Sequence, residues 1–351
     1  MIIEPLKAEH GDAIVIRMDN ETNRTLIVID GGPINCAERI ADYYDSLGYI
    51  NLLILTHYDE DHIGGLLEYI GRHTKDKSEL IGEIWVNGAR LIYFDKDENV
   101  SSYDNAYNLA SSINRMKDKG IIKSFVYNIN NSMDEVKREG FALSILTPTS
   151  SSLEKLESDF KRYIDEHGLA DDPDTDEHIS YGRTLKDSQK SLETLADEKH
   201  KASTTFMNKT SISFILYAEE KSIMMLGDAD INDVVKKLKD QGYSKENPIH
   251  LDLVKLSHHG SKGNISKEFL EFIDCNDFLF TTNGGTGGAY HPDRKTIALI
   301  KDNQDKKSSE KKTTLHFNYP LKTIMDRTTG LLSEEEQKFF DVDDNTNEIH
   351  L

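Results

Sequence analysis

Cysteine is almost missing from these 351 residues. Cys36 and Cys275 stand alone, so neither a disulfide framework nor a Cys-x-x-Cys metal or redox pair is available. Proline is sparse at seven and tryptophan occurs once, which excludes collagen-like and proline-rich low-complexity classes. No apolar run reaches the roughly 18 residues of a membrane-crossing helix, so no membrane partner is expected. Cations are also in short supply: 42 Lys and Arg face 62 Asp and Glu, a formal charge of -20. That balance opposes non-specific attraction to phosphate backbones and weighs against a nuclease held to its substrate by charge alone. With an opening Met1-Ile2-Ile3-Glu4-Pro5-Leu6 that reads as a strand and not as a basic leader, the expected location is cytoplasmic.

What is present is concentrated in Leu52-Leu53-Ile54-Leu55-Thr56-His57-Tyr58-Asp59-Glu60-Asp61-His62-Ile63-Gly64-Gly65. Four apolar residues predict a buried strand, and two imidazoles and two aspartates follow within six positions, just ahead of a Gly pair and a helical start. Desolvating four such side chains on one turn is costly unless a divalent cation satisfies them together. In an extended segment His57, Asp59 and Asp61 fall on one side, and His62 begins the next element. Further ligands must come from elsewhere, and three strand ends offer them. Lys221 to Leu226 ends in Gly227-Asp228. Leu251 to Leu256 ends in Ser257-His258-His259-Gly260, and Tyr290-His291-Pro292 follows the loop Asn283-Gly284-Gly285-Thr286-Gly287-Gly288. Ligand sites gather at strand ends in α/β sheets, so these termini are expected to converge.

The pattern resembles the metallo-β-lactamase fold superfamily of hydrolases, whose signature is His-x-His-x-Asp-His, then a later His, a bridging Asp or Cys, and a last His. His57, Asp61 and His62 match the first, third and fourth positions, and Asp59 stands where most members carry the second His. Asp228 matches the bridging position. The last His falls on the His258-His259 pair, with His258 favoured as the ligand and His259 as its neighbour in the substrate pocket. Asp30, ending Leu26-Ile27-Val28-Ile29, matches the Asp that buttresses the metal loop. His-x-Asp-x-Asp-His-x-Gly-Gly, the early Gly11-Asp12-Ala13, Gly227-Asp228-Ala229, Ser-His-His-Gly-Ser and the closing His-Pro are similar, more narrowly, to the hydrolase domain of the competence DNA-channel protein ComEC. One element of the family pattern is missing: Asn208-Lys209-Thr210-Ser211 occupies the place of the separate third-motif His. His178 and His200 are nearby in sequence as substitutes, although surface positions suit them better.

The resemblance implies an α/β fold, an αββα sandwich of two mixed β-sheets flanked by helices. Its motifs bracket most of the chain, so residues 1–320 are expected to form one hydrolase domain carrying a charged helical insertion at about 88–208. Residues 321–351 are expected to form an acidic tail, and either segment offers a docking point for a protein partner. Strands are expected across residues 2–30, with a break at Asn20-Glu21-Thr22-Asn23, and helices at 37–47, 106–119 and 151–167. A strand is expected at 313–318, where His316 reads as structural.

One or two divalent ions, Zn²⁺ or Mn²⁺, are the expected cofactor, with His57, Asp59, Asp61, His62, Asp228 and His258 as ligands. A carboxylate at position 59 hardens the site and favours Mn²⁺ relative to an all-imidazole set. Such ions would bring the pKa of water from about 15.7 toward 7. Asp61, His259 and His291 are the candidate catalytic residues, orienting the nucleophile, holding the oxyanion or protonating the leaving group. The expected reaction is phosphodiester hydrolysis of nucleic acid. A small phosphoester or cyclic nucleotide is the alternative substrate, and a non-catalytic binding subunit the alternative role.

Overall fold

The computed structural model describes residues 1–19, 24–87, 102–133, 135–166, 187, 189–285, 290–307, 311–328 and 330–351. The break at 20–23, the glycine loop beyond Gly285, the acidic run 171–177 and His178 lie outside these residues.

Strands β1 (Ile2–Pro5), β2 (Ile14–Asp19), β3 (Arg24–Ile29), β4 (Ile50–Ile54), β5 (Ile81–Trp85) and β6 (Ile122–Val126) form the first sheet. Strands β7 (Val136–Arg138), β8 (Phe141–Thr147), β9 (Ser213–Ala218) and β10 (Lys221–Met225) form half of the second. After the short β11 (Ile249–His250) come β12 (Leu253–Lys255), β13 (Ile273–Asp274), β14 (Asp277–Phe280), β15 (Thr314–Phe317), β16 (Asp341–Asp344) and β17 (Ile349–His350). The first sheet runs β17-β1-β2-β3-β4-β5-β6 and the second β16-β15-β14-β12-β10-β9-β8-β7, while β11 and β13 pair separately.

Alternation along the strands explains the layering. In β3, Ile27 and Ile29 enter the cluster between the sheets, where Phe214, Leu216, Ile223 and Met225 come from the other side. Leu26 and Val28, on the opposite face, pack with the helices Ala37–Leu47 and Glu60–His73. The second sheet repeats the device: Leu253 and Leu279 point inward, and Val254, Phe278 and Phe280 point out to helices Ile231–Asp240 and Arg294–Lys306. Strands buried on both faces must be apolar throughout, which is why the central ones read as continuous Ile, Leu and Val runs. This is the αββα sandwich the resemblance implied. No helix among the described residues is long and apolar enough to cross a membrane.

Two expectations need correction. Residues 88–208 are not simply a helical insertion, because β6 closes the first sheet against β5, and β7 and β8 extend the second against β9. Phe141, Leu143 and Ile145 alternate into the inter-sheet core, a period of two that the flanking charges obscure. Nor is the C-terminal segment a tail: β16 pairs parallel with β15, and β17 pairs antiparallel with β1. The acidic side chains of Asp341 and Asp344 line an exposed sheet edge, where charge discourages edge-to-edge association.

His316 locks that edge. Its Nδ1 lies 2.8 Å from Asp343 Oδ2 and its Nε2 3.2 Å from Asp277 Oδ1. Burial opposes its charge, but the bonds to Asp277 and Asp343 outweigh it and raise the pKa. A raised folded value means the stabilisation is complete below the unfolded pKa of about 6.5 and is lost as pH climbs through the folded one. His316→Gln is therefore expected to lower stability by about 2 kcal/mol at pH 6, with a smaller gap at pH 9. Urea midpoints at the two pH values measure this, and a gap that widens with pH would contradict it.

Candidate metal centre

The site lies where parallel strands end. Strand β4 runs beside β3 and leaves the sheet at Ile54, so Thr56, His57 and Asp59 form the turn into the helix Glu60–His73. Asp59 is that helix's N-cap, yet its side chain caps no backbone N–H. Its Oδ2 faces His57 Nε2 at 3.3 Å. An Asp at this position ordinarily accepts from the first turn, so its orientation marks another use.

Asp30, at the end of β3, fixes the turn from behind. Its Oδ1 accepts from the Thr56 backbone N–H at 2.7 Å, and its Oδ2 accepts from Thr56 Oγ1 at 2.8 Å and from His62 Nδ1 at 2.7 Å. Because Thr56 Oγ1 donates to Asp30, it accepts from His57 Nδ1, 3.1 Å away. Both imidazoles are thereby protonated on their outer nitrogen, and both Nε2 lone pairs face inward. There they meet Asp228, at the end of β10: His57 Nε2 is 3.9 Å from its Oδ2 and His62 Nε2 3.5 Å from its Oδ1.

Strand β12, parallel to β10, delivers the last two imidazoles. His258 Nε2 is 3.7 Å from Asp228 Oδ2, and His259 Nε2 is 3.1 Å from Asp61 Oδ2. His259 Nδ1 donates to Thr281 O at 2.9 Å. His259 is only 3% exposed, so it lies inside the cluster. His291 stands beside His258, with ring centroids 4.9 Å apart, and its Nδ1 is 3.4 Å from Asp293 Oδ2. Every candidate site residue is thus gathered in one place. His200 is half-buried, with Lys295 and Asp230 the charges that act on it.

The residues fit a divalent cation on their own chemistry. His57 Nε2, His62 Nε2 and Asp228 Oδ1 are buried and have no hydrogen-bond partner, although burying such groups unsatisfied is costly. His57, His62 and Asp228 have ligand atoms within 4.8 Å of one another, as do Asp61, His62 and His259. Donors bound about 2.1 Å from one ion stand roughly 3–4 Å apart, and the pairs His57–Asp228, His62–Asp228, His62–Asp61 and His259–Asp61 fall in that range at 3.9, 3.5, 3.8 and 3.1 Å. The charges interlock as well. Burial opposes charge at Asp228 and Asp61, yet the neighbouring imidazoles hold both carboxyls well below their usual range. Burial pushes His258 down to about 4 against the pull of Asp228, whereas at His259 Asp12 and Asp61 overcome burial and raise it to about 9. A cation would take the place of the protons held in this cluster.

Glycines let the backbones approach. A Cβ on Gly11 would sit 1.9 Å from Asp61 O, the carbonyl that accepts from Asp12 N at 3.1 Å. Gly11→Ala is expected to displace Asp61, destabilise the fold by about 1–3 kcal/mol and weaken metal affinity at least tenfold, in the manner of a lost supporting contact. Thermal melts and metal titration read both effects. An alanine variant with unchanged metal affinity would dissociate this contact from the site.

No protein-family model and no curated protein matches the chain. Solved structures do match. They include Zn²⁺-bound PqqB from Methylobacterium extorquens, 11% identical over all of both chains with a TM-score of 0.45. The metallo-beta-lactamase fold protein YhfI from Bacillus subtilis is 8% identical over all of both chains, TM-score 0.44. Unliganded yeast PDE1 is 11% identical, covering 97% of this chain and 95% of its own, TM-score 0.46. These are likenesses of fold.

Three residues near the site escaped the sequence reading. Asp12 was noted only as part of a motif, and it lies between Lys255 and His259, its Oδ1 3.4 Å from His259 Nδ1. Lys255 is 1% exposed, and a lysine inside Leu253-Val254-Lys255-Leu256 was the available signal, since a buried ammonium requires an anion. His10 is the third. Burial lowers its pKa against the pull of Asp61, and its Nδ1 has no hydrogen-bond partner.

Proposed function

We propose that the protein is a metal-dependent phosphodiester hydrolase. The observation that carries this reading is Asp228, whose two oxygens face different imidazoles, Oδ2 those of His57 and His258 and Oδ1 that of His62. His57, Asp59, Asp61, His62, Asp228, His258 and His259 would hold the ions. When bound, such ions supply Lewis acidity toward a phosphoryl oxygen and an acidified water.

The chain's own residues set the geometry. Asp30 and Thr56 hold His57 and His62 with their acceptor nitrogens inward. Thr281 does the same for His259. His291, whose Nδ1 lies 3.4 Å from Asp293 Oδ2, would offer a proton to the departing oxygen. Asp61, whose Oδ2 lies among the imidazoles of His62 and His259, would orient the attacking water.

Nucleic acid is the first substrate proposed, on the resemblance to ComEC. A small phosphoester or cyclic nucleotide is the second reading, supported by the charge of -20. Four lysines that could otherwise draw a phosphate backbone are engaged within the fold, which supports it too: Lys306 pairs with Asp302 and Lys311 with Asp277, while Lys307 and Lys312 bond main-chain carbonyls. Purified protein is expected to hydrolyse a chromogenic phosphodiester with added Mn²⁺ or Zn²⁺ and to lose that activity on Asp61→Ala. Turnover with neither metal would leave a binding subunit as the better description. Parallel assays on single-stranded DNA, duplex DNA, RNA and cyclic dinucleotides separate the two substrate classes.

A further inference from the structure

We propose that the adjacent histidines His258 and His259 serve different metal ions, with His258 supplying the ligand that the absent third-motif histidine would otherwise provide. This rests on the metal-centre reading above and assigns its residues. The distances sort by the oxygen of Asp228. Around Oδ2 stand His57 Nε2 at 3.9 Å and His258 Nε2 at 3.7 Å, with Asp59 Oδ2 3.3 Å from the same His57 nitrogen. On the other side Oδ1 stands 3.5 Å from His62 Nε2. Asp61 Oδ2 is 3.8 Å from His62 Nε2 and 3.1 Å from His259 Nε2. The assignment gives each half two imidazoles, one carboxylate of its own and one oxygen of Asp228, a four-donor set in which Asp59 and His258 are joined to the first half through their distances to His57 and Asp228. Without His258 the first half would have three donors.

The backbone is built to part the two rings. His258 and His259 have φ of 47° and 53°, the left-handed region that strains a non-glycine residue and recurs where function demands it. The strained pair places the ring centroids 5.8 Å apart with planes inclined by 68°. The tautomer of His258 follows from its outer contact. Asn264 Nδ2 faces the carbonyls of Asp228 and Ala229 at 3.3 and 3.2 Å, so Asn264 Oδ1, 3.3 Å from His258 Nδ1, is the acceptor. The proton then sits on Nδ1 and the Nε2 lone pair faces Asp228. Asn208 occupies the region where the family carries its separate histidine, and its Nδ2 lies 3.5 Å from the same His258 nitrogen. That contact is longer and would require the opposite tautomer; the doubly anchored Asn264 decides. Asn208 thus stands behind the ring that fills the vacancy.

Metal content by native mass spectrometry, after equilibration with Mn²⁺ and separately Zn²⁺, tests the assignment without reference to activity. The wild-type chain is expected to hold two ions, and His258→Ala and His259→Ala one each. Asp59→Ala/His258→Ala should still hold one, because both changes strike the same ion, and His258→Ala/Asp61→Ala none. The affinity for the affected ion should fall at least about 100-fold. His258→Gln, closer in shape, repeats the measurement if the alanine variant melts early. Two ions retained at wild-type affinity in His258→Ala or His258→Gln overturns the division and leaves the metal reading standing. A wild-type chain that binds neither metal overturns both.

Discussion

Asp228→Ala is expected to strip both cations at once and to reduce phosphodiester hydrolysis by at least about 10³-fold, since metal charge stabilisation is worth several kcal/mol and each 1.36 kcal/mol is tenfold. Its reach follows from its place. Asp228 leaves β10 just after Gly227, whose φ of +48° turns the chain, and its backbone N–H donates to Ser211 Oγ at 3.1 Å. Both carboxylate oxygens therefore point into the cluster. Among the described residues no other carboxylate of the cluster divides three imidazoles between its two oxygens: Oδ2 of Asp228 faces His57 and His258 and Oδ1 faces His62, whereas Asp59 faces His57, and Asp61 faces His62 and His259. Removing Asp59 or Asp61 should cost one ion; removing Asp228 should cost two. Asp228→Asn keeps the shape and one oxygen but loses the charge, and should fall between. Metal content and turnover measured on the same preparations decide the matter, and an Asp228→Ala protein that keeps either ion at wild-type affinity would deny the carboxylate its shared position.

Much of this was legible in the chain because the same physics wrote the sequence pattern and the structure. An apolar strand cannot end in His57, Asp59, Asp61 and His62 without placing them where a sheet edge meets a helix, and Ile50–Ile54 followed by the helix Glu60–His73 does so. The helix Ala37–Leu47 fell at its expected bounds, since its apolar spacing has one solution. Long-range pairing was not legible. Nothing local in Asp341–Asp344 announces a strand, because its partner β15 supplies the ladder and a parallel neighbour leaves no turn signal. The roles of His258 and His259 were open for a related reason. Their rings diverge through two consecutive left-handed residues, a backbone choice that side-chain identity does not reveal. Asp61 and His259 are 198 positions apart in sequence, yet they meet at 3.1 Å.

The largest effect on stability is expected from Lys255. Its ammonium is buried behind the His and Asp cluster, paired with Asp12 Oδ2 and bonded to Gly227 O at 3.1 Å. Asp12 Oδ1 accepts from Thr281 Oγ1 at 2.5 Å, so this carboxylate ties β12, the loop after β14 and the turn before β2 together. Lys255→Met leaves that carboxylate buried without its cation, a change that typically costs about 3–5 kcal/mol. Removing both charges together, as Lys255→Met/Asp12→Asn, should recover part of the loss, because a buried pair can be replaced by neutral groups at lower cost than it can be broken. The pH dependence has a definite sign. Burial would raise the Asp12 carboxyl, but Lys255 and then His259 hold it well below the usual range. A depressed folded value gives stabilisation that is complete above the unfolded pKa of about 3.9 and is lost as pH falls through the folded one. The gap between wild type and Lys255→Met should therefore be full at pH 7 and should narrow below about pH 4. Urea unfolding at the two pH values measures it; a gap that is small at pH 7, or that grows in acid, would show that Asp12 does not depend on Lys255 for its charge. The same variant bears on the site, since Asp12 lies 3.4 Å from His259 Nδ1. If the ion pair is what keeps Asp12 in place, affinity for the ion near Asp61 should weaken about 10-fold or more while the ion near Asp59 is spared.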